Sequence, residues 1–384
     1  MTALKVLHLI EDLGLGGAER LLTTLLPRLR DRGIAPEVAS LGPREDLVPV
    51  LRQAGVPVHV AGFSRPRQLM AAPRWIHDLL KRGRYDALHT HLARANLSGR
   101  VAASLAGVPV TSTYHDTDYE PEVLGDNPGH RRWKQKAYQL ADGLSIRACP
   151  RVVAVSHYVA RSIARRLHIP PDRVQVVYNG VPGDLVQEVP EATHLERRRE
   201  LGLPATARVV LQVGRLCHQK GQKDTLIAAK HLREERDVLW VLVGEGPLWE
   251  DLERVRASEG LQERVRLAGG QREVVPFLQA ADVFVFPSVH EGLGIAALEA
   301  MAVGLPVVAY GIGPLREFIQ EGRTGLLLPP GDCIGLAEAV RSLVWDRETA
   351  AAMGARGRRV VQEGFLIDAT ADGHAELYRG LVGA

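Results

Sequence analysis

Two glutamates in the C-terminal half are spaced for joint work. Glu291 follows Pro287, Ser288, Val289 and His290 and has Gly292 and Gly294 close behind it; Glu299 comes eight residues later, inside the apolar run that starts at Ile295. Eight residues is just over two helical turns, so a continuous helix would bring both carboxylates to one side. Glu299 lies among Ala, Leu and Met, where a solvated charge is not expected. A buried carboxylate needs partners, and the hydroxyls of a bound sugar would serve. The Gly294–Ile295 backbone offers N–H donors at a helix start, a place for a phosphate.

Arg215 and Lys220 stand five residues apart between Gly214 and Gly221, on a predicted strand-to-helix loop. A planar guanidinium fork and an ammonium point charge can clamp a diphosphate from two directions. The spacing is not that of a P-loop, G-x-x-x-x-G-K-[ST]. Near the start, Gly14, Gly16 and Gly17 form a loop whose N–H groups can approach an anion beside a helix N-terminus. A dinucleotide fingerprint G-x-G-x-x-G would need a third glycine where Glu19 stands. A tight turn accounts for this loop equally well. His89 and His91 end one predicted strand and His115 another. His89 and His91 point to one side, as metal ligands would, but no third ligand is evident and no metal is expected. Asp116 and Asp118 form a D-x-D pattern that can hold Mg²⁺ or Mn²⁺ against a diphosphate. A lone strand-end histidine is more often a hydrogen-bonded structural group.

These residues need a scaffold, and the pattern supplies one. Strands are predicted over 5–10, 36–40, 56–61, 87–90, 108–114, 151–155 and 174–178, with helices between them over 18–30, 94–106 and 158–167. After a proline-rich, charged stretch at 180–203 the alternation restarts. Strands over 208–213, 238–243, 265–268, 283–286 and 306–309 alternate with helices over 222–232, 249–259, 274–280 and 295–303. From 336 onward the chain reads as helical, with breaks near 354–357 and 364. Such alternation implies parallel sheets. The fold class is therefore α/β, two Rossmann-like doubly wound domains facing across a cleft. The boundaries fall at 1–185 for an N-terminal domain and 186–364 for a C-terminal one. A helix over 365–384 packs back toward the first. Ligands of such sheets bind beyond the strand C-termini.

Composition agrees. The chain has 384 residues, 46% hydrophobic and 24% charged, too long for one core and too apolar for disorder. No apolar run reaches the ~18 residues of a membrane span. The N-terminus reads as a first strand and not a signal peptide. Cys149, Cys217 and Cys333 have no metal or disulfide spacing, so a cytoplasmic location is the expectation. Residues 1–180 carry 25 Lys+Arg against 16 Asp+Glu, and residues 181–384 carry 23 against 29. A basic first half suits an anionic partner such as lipid, substrate or nucleic acid; a solvated arginine-rich surface is equally compatible.

Taken together, the segments resemble the retaining glycosyltransferases of family 4, which have the GT-B fold. The matching features in the first half are G-G-A-E at Gly16–Glu19, H-T-H at His89–His91, the strand-end His115, V-S-H-Y-V from Val155 and Y-N-G-V from Tyr178. In the second half they are G-R-L-x-x-x-K-G at Gly214–Gly221, V-G-E-G-P from Val243, A-D-V-F-V-F-P-S, E-G-x-G-x-x-x-L-E-A-M-A and G-L-P-V-V-A. The resemblance runs nearly end to end.

It implies that Arg215 and Lys220 hold a donor diphosphate, Glu299 the nucleotide ribose and Glu291 the donor sugar, with the Gly294–Ile295 backbone nearby. Gly16 and Gly17 would face the diphosphate from the first domain, and His115 the transferred sugar. Arg272, in the loop after Gly270, would lie near the base. His89, His91 and Asn96 would stand on the acceptor side. His290 and the small Ile295-Ala296-Ala297 run depart from many relatives and leave sugar preference open. The implied activity is metal-independent, cofactor-free transfer from a UDP- or GDP-linked sugar to a glycan, lipid-linked or small-molecule hydroxyl acceptor. Basic and aromatic residues at 131–138 and 65–84 suggest peripheral contact with an anionic membrane, though a soluble acceptor fits nearly as well. A nucleotide-sugar epimerase would use the same architecture without an acceptor, and a non-catalytic binder would not need the full charge set. Nucleic-acid binding lacks a recognised motif.

Overall fold

The computed structural model describes residues 3–117, 119–120 and 132–383. The chain divides into two compact units. The first comprises Met1–Gly180 together with Ile367–Ala384, and the second Val181–Leu366.

The first unit is built on strands β1 (Leu4–Ile10), β2 (Ile34–Ser40), β3 (Val58–Val60), β4 (Ala87–His91), β5 (Val110–Tyr114), β6 (Val152–Ala154) and β7 (Val174–Val176). They form a parallel sheet in the order β3-β2-β1-β4-β5-β6-β7. The second unit repeats the plan with β8 (Arg208–Val213), β9 (Val238–Val243), β10 (Val265–Leu267), β11 (Val283–Phe286), β12 (Val307–Tyr310) and β13 (Gly325–Leu328), in the order β10-β9-β8-β11-β12-β13. Strands covered by helices on both faces read as unbroken apolar runs, as β11 (VFVF) and β12 (VVAY) do; β4 (ALHTH) and β5 (VTSTY) are also buried along their whole length but carry His, Thr and Ser. In both sheets the order reverses beside the first strand, between β1 and β4 and between β8 and β11. Ligand crevices open at such switch points.

Each unit has its own core. In the first, Leu21, Leu22, Leu25, Leu26 and Leu29 of helix Gly17–Arg30 pack with Ile367, Ala371 and Tyr378 of the terminal helix Ile367–Val382. In the second, Trp240, Leu252, Val283 and Val308 pack with Leu336, Val340 and Leu343.

Three features differ from the sequence reading. Within the proline-rich, charged stretch at 180–203, to which no element was assigned, Glu191–Glu200 is helical. That helix is anchored by an arginine instead of an apolar stripe. Buried Arg198 pairs with Asp282 at 2.6 Å and donates to the Ala280 carbonyl at 3.0 Å, so hydrophobic periodicity had nothing to register. The expected break at 354–357 is absent, and helix Arg347–Gly364 runs through it. Gly354 is there for contact, because a Cβ on it would lie 1.8 Å from the Gly304 carbonyl oxygen. Strand β13 was not anticipated; it is four residues long and begins with glycine.

Candidate functional site

In the second unit, loops after four adjacent strands interlock. The loop after β8 holds Arg215 and Lys220. It accepts the Leu248 N–H at the Leu216 carbonyl, and Leu216 N–H donates to Glu245 at 2.9 Å. Gly244 N–H donates to Gly269 beyond β10 at 2.9 Å. Val289 N–H, in the loop after β11, donates to the Gln219 carbonyl at 2.9 Å. These approaches need glycine. A Cβ at Gly244 (φ +152°) would lie 1.9 Å from the Gly214 oxygen, and one at Gly221 (φ +67°) 2.0 Å from the Pro287 oxygen. The V-G-E-G-P and K-G motifs are therefore backbone-packing motifs first.

Lys220 ends a 3₁₀ turn, His218–Lys220, and its ammonium pairs with the Glu291 carboxylate. The same ammonium lies 5.6 Å from the centre of the Phe286 ring. Glu291 is buried and Lys220 half-buried. Arg215 is exposed and has no ion-pair partner among the described residues. Gln222 Nε2 donates to the Arg215 carbonyl (2.9 Å), and Gln212 Nε2 to the Lys220 carbonyl (2.7 Å) while its Oε1 accepts from Thr225 (2.8 Å). Gln219 Nε2 donates to His290 O at 3.0 Å. The cationic loop is thus set by glutamines that the sequence reading passed over. Their signal was only their adjacency to the two cations.

Gly294 caps helix Ile295–Ala302 with φ +100°, and a Cβ there would strike Leu315 at 2.7 Å. Ile295 is the first helical residue, and Glu299, half-buried, sits in the second turn. Arg272 is exposed in the loop after β10. Among the described residues, Ser288 Oγ, His290 Nδ1 and Gln222 Oε1 are buried with no hydrogen-bond partner. Unspent buried polar atoms beside a cation pair mark a place where a polar ligand fits; Ser288 had no distinguishing sequence signal.

In the first unit, Gly16 caps helix Gly17–Arg30 and both glycines are exposed; a Cβ on Gly17 would meet nothing within 4 Å. Glu19, where the dinucleotide fingerprint wants glycine, folds over Gly16. Burial pushes its carboxyl up to about 7, and Asp12 and Glu11 add to the rise. His115 is half-buried just past β5 and lines a cavity with Leu92, Asn96, Asp116, Tyr119 and Asp142. Asp118 and Arg131 lie outside the described residues.

His89, His91 and Asn96 do not offer their side chains at the surface of the site. All three are buried. With its nitrogen facing Thr90 O (3.1 Å) and Leu92 O (3.3 Å), the Asn96 amide secures the turn after β4. There Leu92 takes φ +70° and ψ 162°, a region nearly reserved for glycine. His89 and His91 lie behind the site, their ring nitrogens committed to internal bonds, whereas Asn96, though buried, lines the cavity with His115. His8, in register with His89, supplies the third imidazole that the sequence did not reveal. One ring nitrogen from each of His8, His89 and His91 lies within 4.8 Å of the others. Burial, reinforced by neighbouring imidazoles, holds His8 down at about 3 and His89 and His91 well below the usual histidine range.

Below the cavity, buried Arg100 donates to Asp142 (2.5 Å), Tyr114 (2.9 Å) and Ser112 (2.9 Å), and Tyr114 and Tyr119 both donate to Asp142 at 2.8 and 2.7 Å. Outside, helix Arg132–Ser145 exposes Trp133, Leu140 and Leu144, and Val101 and Leu105 are exposed on Ala93–Ala106. No helix among the described residues is long and apolar enough to cross a membrane.

Residues 15–185 match the family model for Glycosyltransferase Family 4, and residues 194–360 that for Glycosyl transferases group 1. The chain is 31% identical to a D-inositol 3-phosphate glycosyltransferase of Thermobispora bispora, over 94% of this chain and 89% of that one. It is 29% identical to the Escherichia coli UDP-Gal:alpha-D-GlcNAc-diphosphoundecaprenol alpha-1,3-galactosyltransferase, over 80% and 78%. Among solved structures it resembles Anabaena Alr3699/HepE in complex with UDP and glucose, with TM-score 0.84, 22% identity and coverage of 98% and 100%. It likewise resembles a Thermosynechococcus elongatus sucrose-phosphate synthase, with TM-score 0.83, 21% identity and coverage of 99% of each chain.

Proposed function

Since the chain belongs to the family 4 glycosyltransferases and has their GT-B fold, we propose that it moves a sugar with retention, without a metal, from a UDP- or GDP-linked donor to a hydroxyl acceptor. The observation that carries this is the Lys220–Glu291 pair beside exposed Arg215, on loops locked together by backbone contact. The donor diphosphate displaces Glu291 from Lys220 and is held by Lys220, Arg215 and the Gly294–Ile295 N–H groups. Glu291, released, accepts from a donor-sugar hydroxyl. Glu299 accepts from the ribose, Arg272 lies by the base, and Gly16 and Gly17 admit the diphosphate from the first unit. His115 contacts the transferred sugar.

The anomeric carbon–oxygen bond to the diphosphate breaks, and the acceptor oxygen bonds to that carbon from the same face. The acceptor proton passes to the departing diphosphate oxygen, so no protein nucleophile is needed. The protein's contribution is stabilisation of charge growing on the leaving group, where each donor is worth about 2–4 kcal/mol. A UDP-linked sugar is the first donor to test, because a relative at 29% identity is named for UDP-Gal. A glycan or lipid-linked acceptor is favoured by that same name and by the exposed Trp133, Leu140 and Leu144 beside Lys134 and Lys136, a face suited to peripheral contact with anionic lipid.

The test is transfer or donor hydrolysis with UDP- and GDP-sugars, with and without EDTA, the product's anomeric configuration being read by NMR. Retained configuration and EDTA-insensitive turnover are expected. An inverted product refutes the same-face mechanism, and EDTA inhibition rescued by Mn²⁺ refutes metal independence.

A further inference from the structure

A single file of hydrogen bonds crosses the core of the first unit and ends at His115. Thr113 Oγ1 lies 2.6 Å from His89 Nε2, and His89 Nδ1 lies 2.6 Å from Tyr378 Oη. Tyr378 Oη lies 3.3 Å from His8 Nε2, His8 Nδ1 3.1 Å from His91 Nε2, and His91 Nδ1 3.1 Å from His115 Nε2. Thr113, His8, His89, His91 and Tyr378 are all buried. A neutral imidazole has one N–H and one lone pair. Each link therefore fixes the next, and all four rings must share a tautomer: Nδ1–H if protons point toward His115, Nε2–H if they point away. Tyr378 cannot break the run by accepting twice, since its hydroxyl has no other acceptor among the described residues.

The far end decides the direction. The Thr113 hydroxyl has its only hydrogen-bond partner among the described residues in His89. If His89 donated to it, the threonine proton would find no acceptor among the described residues, Thr113 being 2% exposed where it lines the His115 cavity, at a cost in stability. Thr113 therefore donates, and the file runs from Thr113 through His89, Tyr378, His8 and His91 to His115. The last ring is left with Nδ1–H, and that nitrogen has no partner among the described residues.

We propose that His8, His89, His91 and Tyr378 are positioning residues, a one-way relay that holds His115 as a neutral Nδ1–H donor toward a hydroxyl or ring oxygen of the sugar. The relay rests on the reading that His115 contacts the transferred sugar. A three-histidine metal centre is the rival use of the same rings. It would break the His8–His91 and His89–Tyr378 bonds, and no carboxylate or thiolate among the described residues joins the three rings.

The decisive measurement is long-range ¹H–¹⁵N NMR of ¹⁵N-histidine-labelled protein at pH 7.5. His8, His89, His91 and His115 should all be neutral Nδ1–H, and His374, whose Nδ1 faces the Thr370 carbonyl at 2.8 Å, gives the internal reference for that signature. Any of the four appearing as Nε2–H or imidazolium, or a stoichiometric transition metal by elemental analysis, overturns the relay. Tyr378→Phe keeps the ring and removes the link. It should lower kcat on the order of 10-fold, by analogy with imidazoles oriented by outer partners, with little change in donor KM. In a His115→Ala background Tyr378→Phe should have no further effect; an equal loss there shows that Tyr378 does not act through His115. If the wild-type protein transfers no sugar, the functional reading fails, and the tautomer spectra still decide the relay.

Discussion

Lowering the pH from 7.5 to 5.0 should unfold the first unit while the second remains folded. The ordinary histidine value is 6.5, and burial holds His8 at about 3 and His374 at about 4. Because the folded values lie below the unfolded one, the unfolded chain takes up protons first. The stability these groups allow is intact above about 6.5. It is lost as pH falls below that, and the loss levels off near 4 for His374 and 3 for His8. At pH 5.0 linkage gives a loss of ~2 kcal/mol for each, ~4 kcal/mol for the two. His89 and His91, shifted further by burial and by their neighbours, push the same way. Total domain stabilities are only about 5–15 kcal/mol. The second unit has no buried histidine among the described residues, so the loss should be confined to the first. Hydrogen–deuterium exchange at the two pH values resolves the units. Protection of β1, β4 and helix Ile367–Val382 should collapse at pH 5.0. Unchanged protection there, or equal loss in β8 and β11, refutes the assignment of acid sensitivity to this cluster.

Lys220→Ala should slow transfer by about 2–4 kcal/mol, roughly 30- to 1,000-fold in kcat; turnover near wild type in steady-state assays rules out the diphosphate clamp. Glu299→Ala should raise the nucleotide dissociation constant, and an unchanged value by calorimetry removes its ribose role. Asp142→Ala leaves Arg100 charged and buried, so urea unfolding should show a loss of ~3–5 kcal/mol. A change within ~0.5 kcal/mol would mean that Arg100 finds another counter-charge.

Much of the fold was legible because parallel strands buried on both faces leave unbroken runs of Val, Leu, Phe and Trp, as in β9 and β11. The positions of the Arg215–Lys220 loop and of Glu291 just beyond strand ends were legible because glycines and charges follow directly on apolar runs. What escaped is held by polar contacts with no period. Arg198 anchors an unforeseen helix, and the glutamines at 212, 219 and 222 shape the cationic loop. Glycine was ambiguous from sequence: Gly354 looks like a break and is a point of contact, whereas Gly294 takes a positive φ at a helix start. The histidine file was unreadable because His8 and His89 come from the interiors of two strands, His115 from just past a third and Tyr378 from a helix up to 370 residues away. Only the strand order of the sheet brings them together.

That the first unit is completed by residues 367–384 has a bearing on biosynthesis. A nascent chain emerges N-terminus first, so roughly 180 residues of partial sheet must wait while the whole second unit is translated and free to fold. Until the terminal helix docks, Leu21, Leu25 and their neighbours lack part of their cover. During that interval the growing polypeptide presents an open greasy seam, and a chaperone that shields it would raise the yield of mature enzyme.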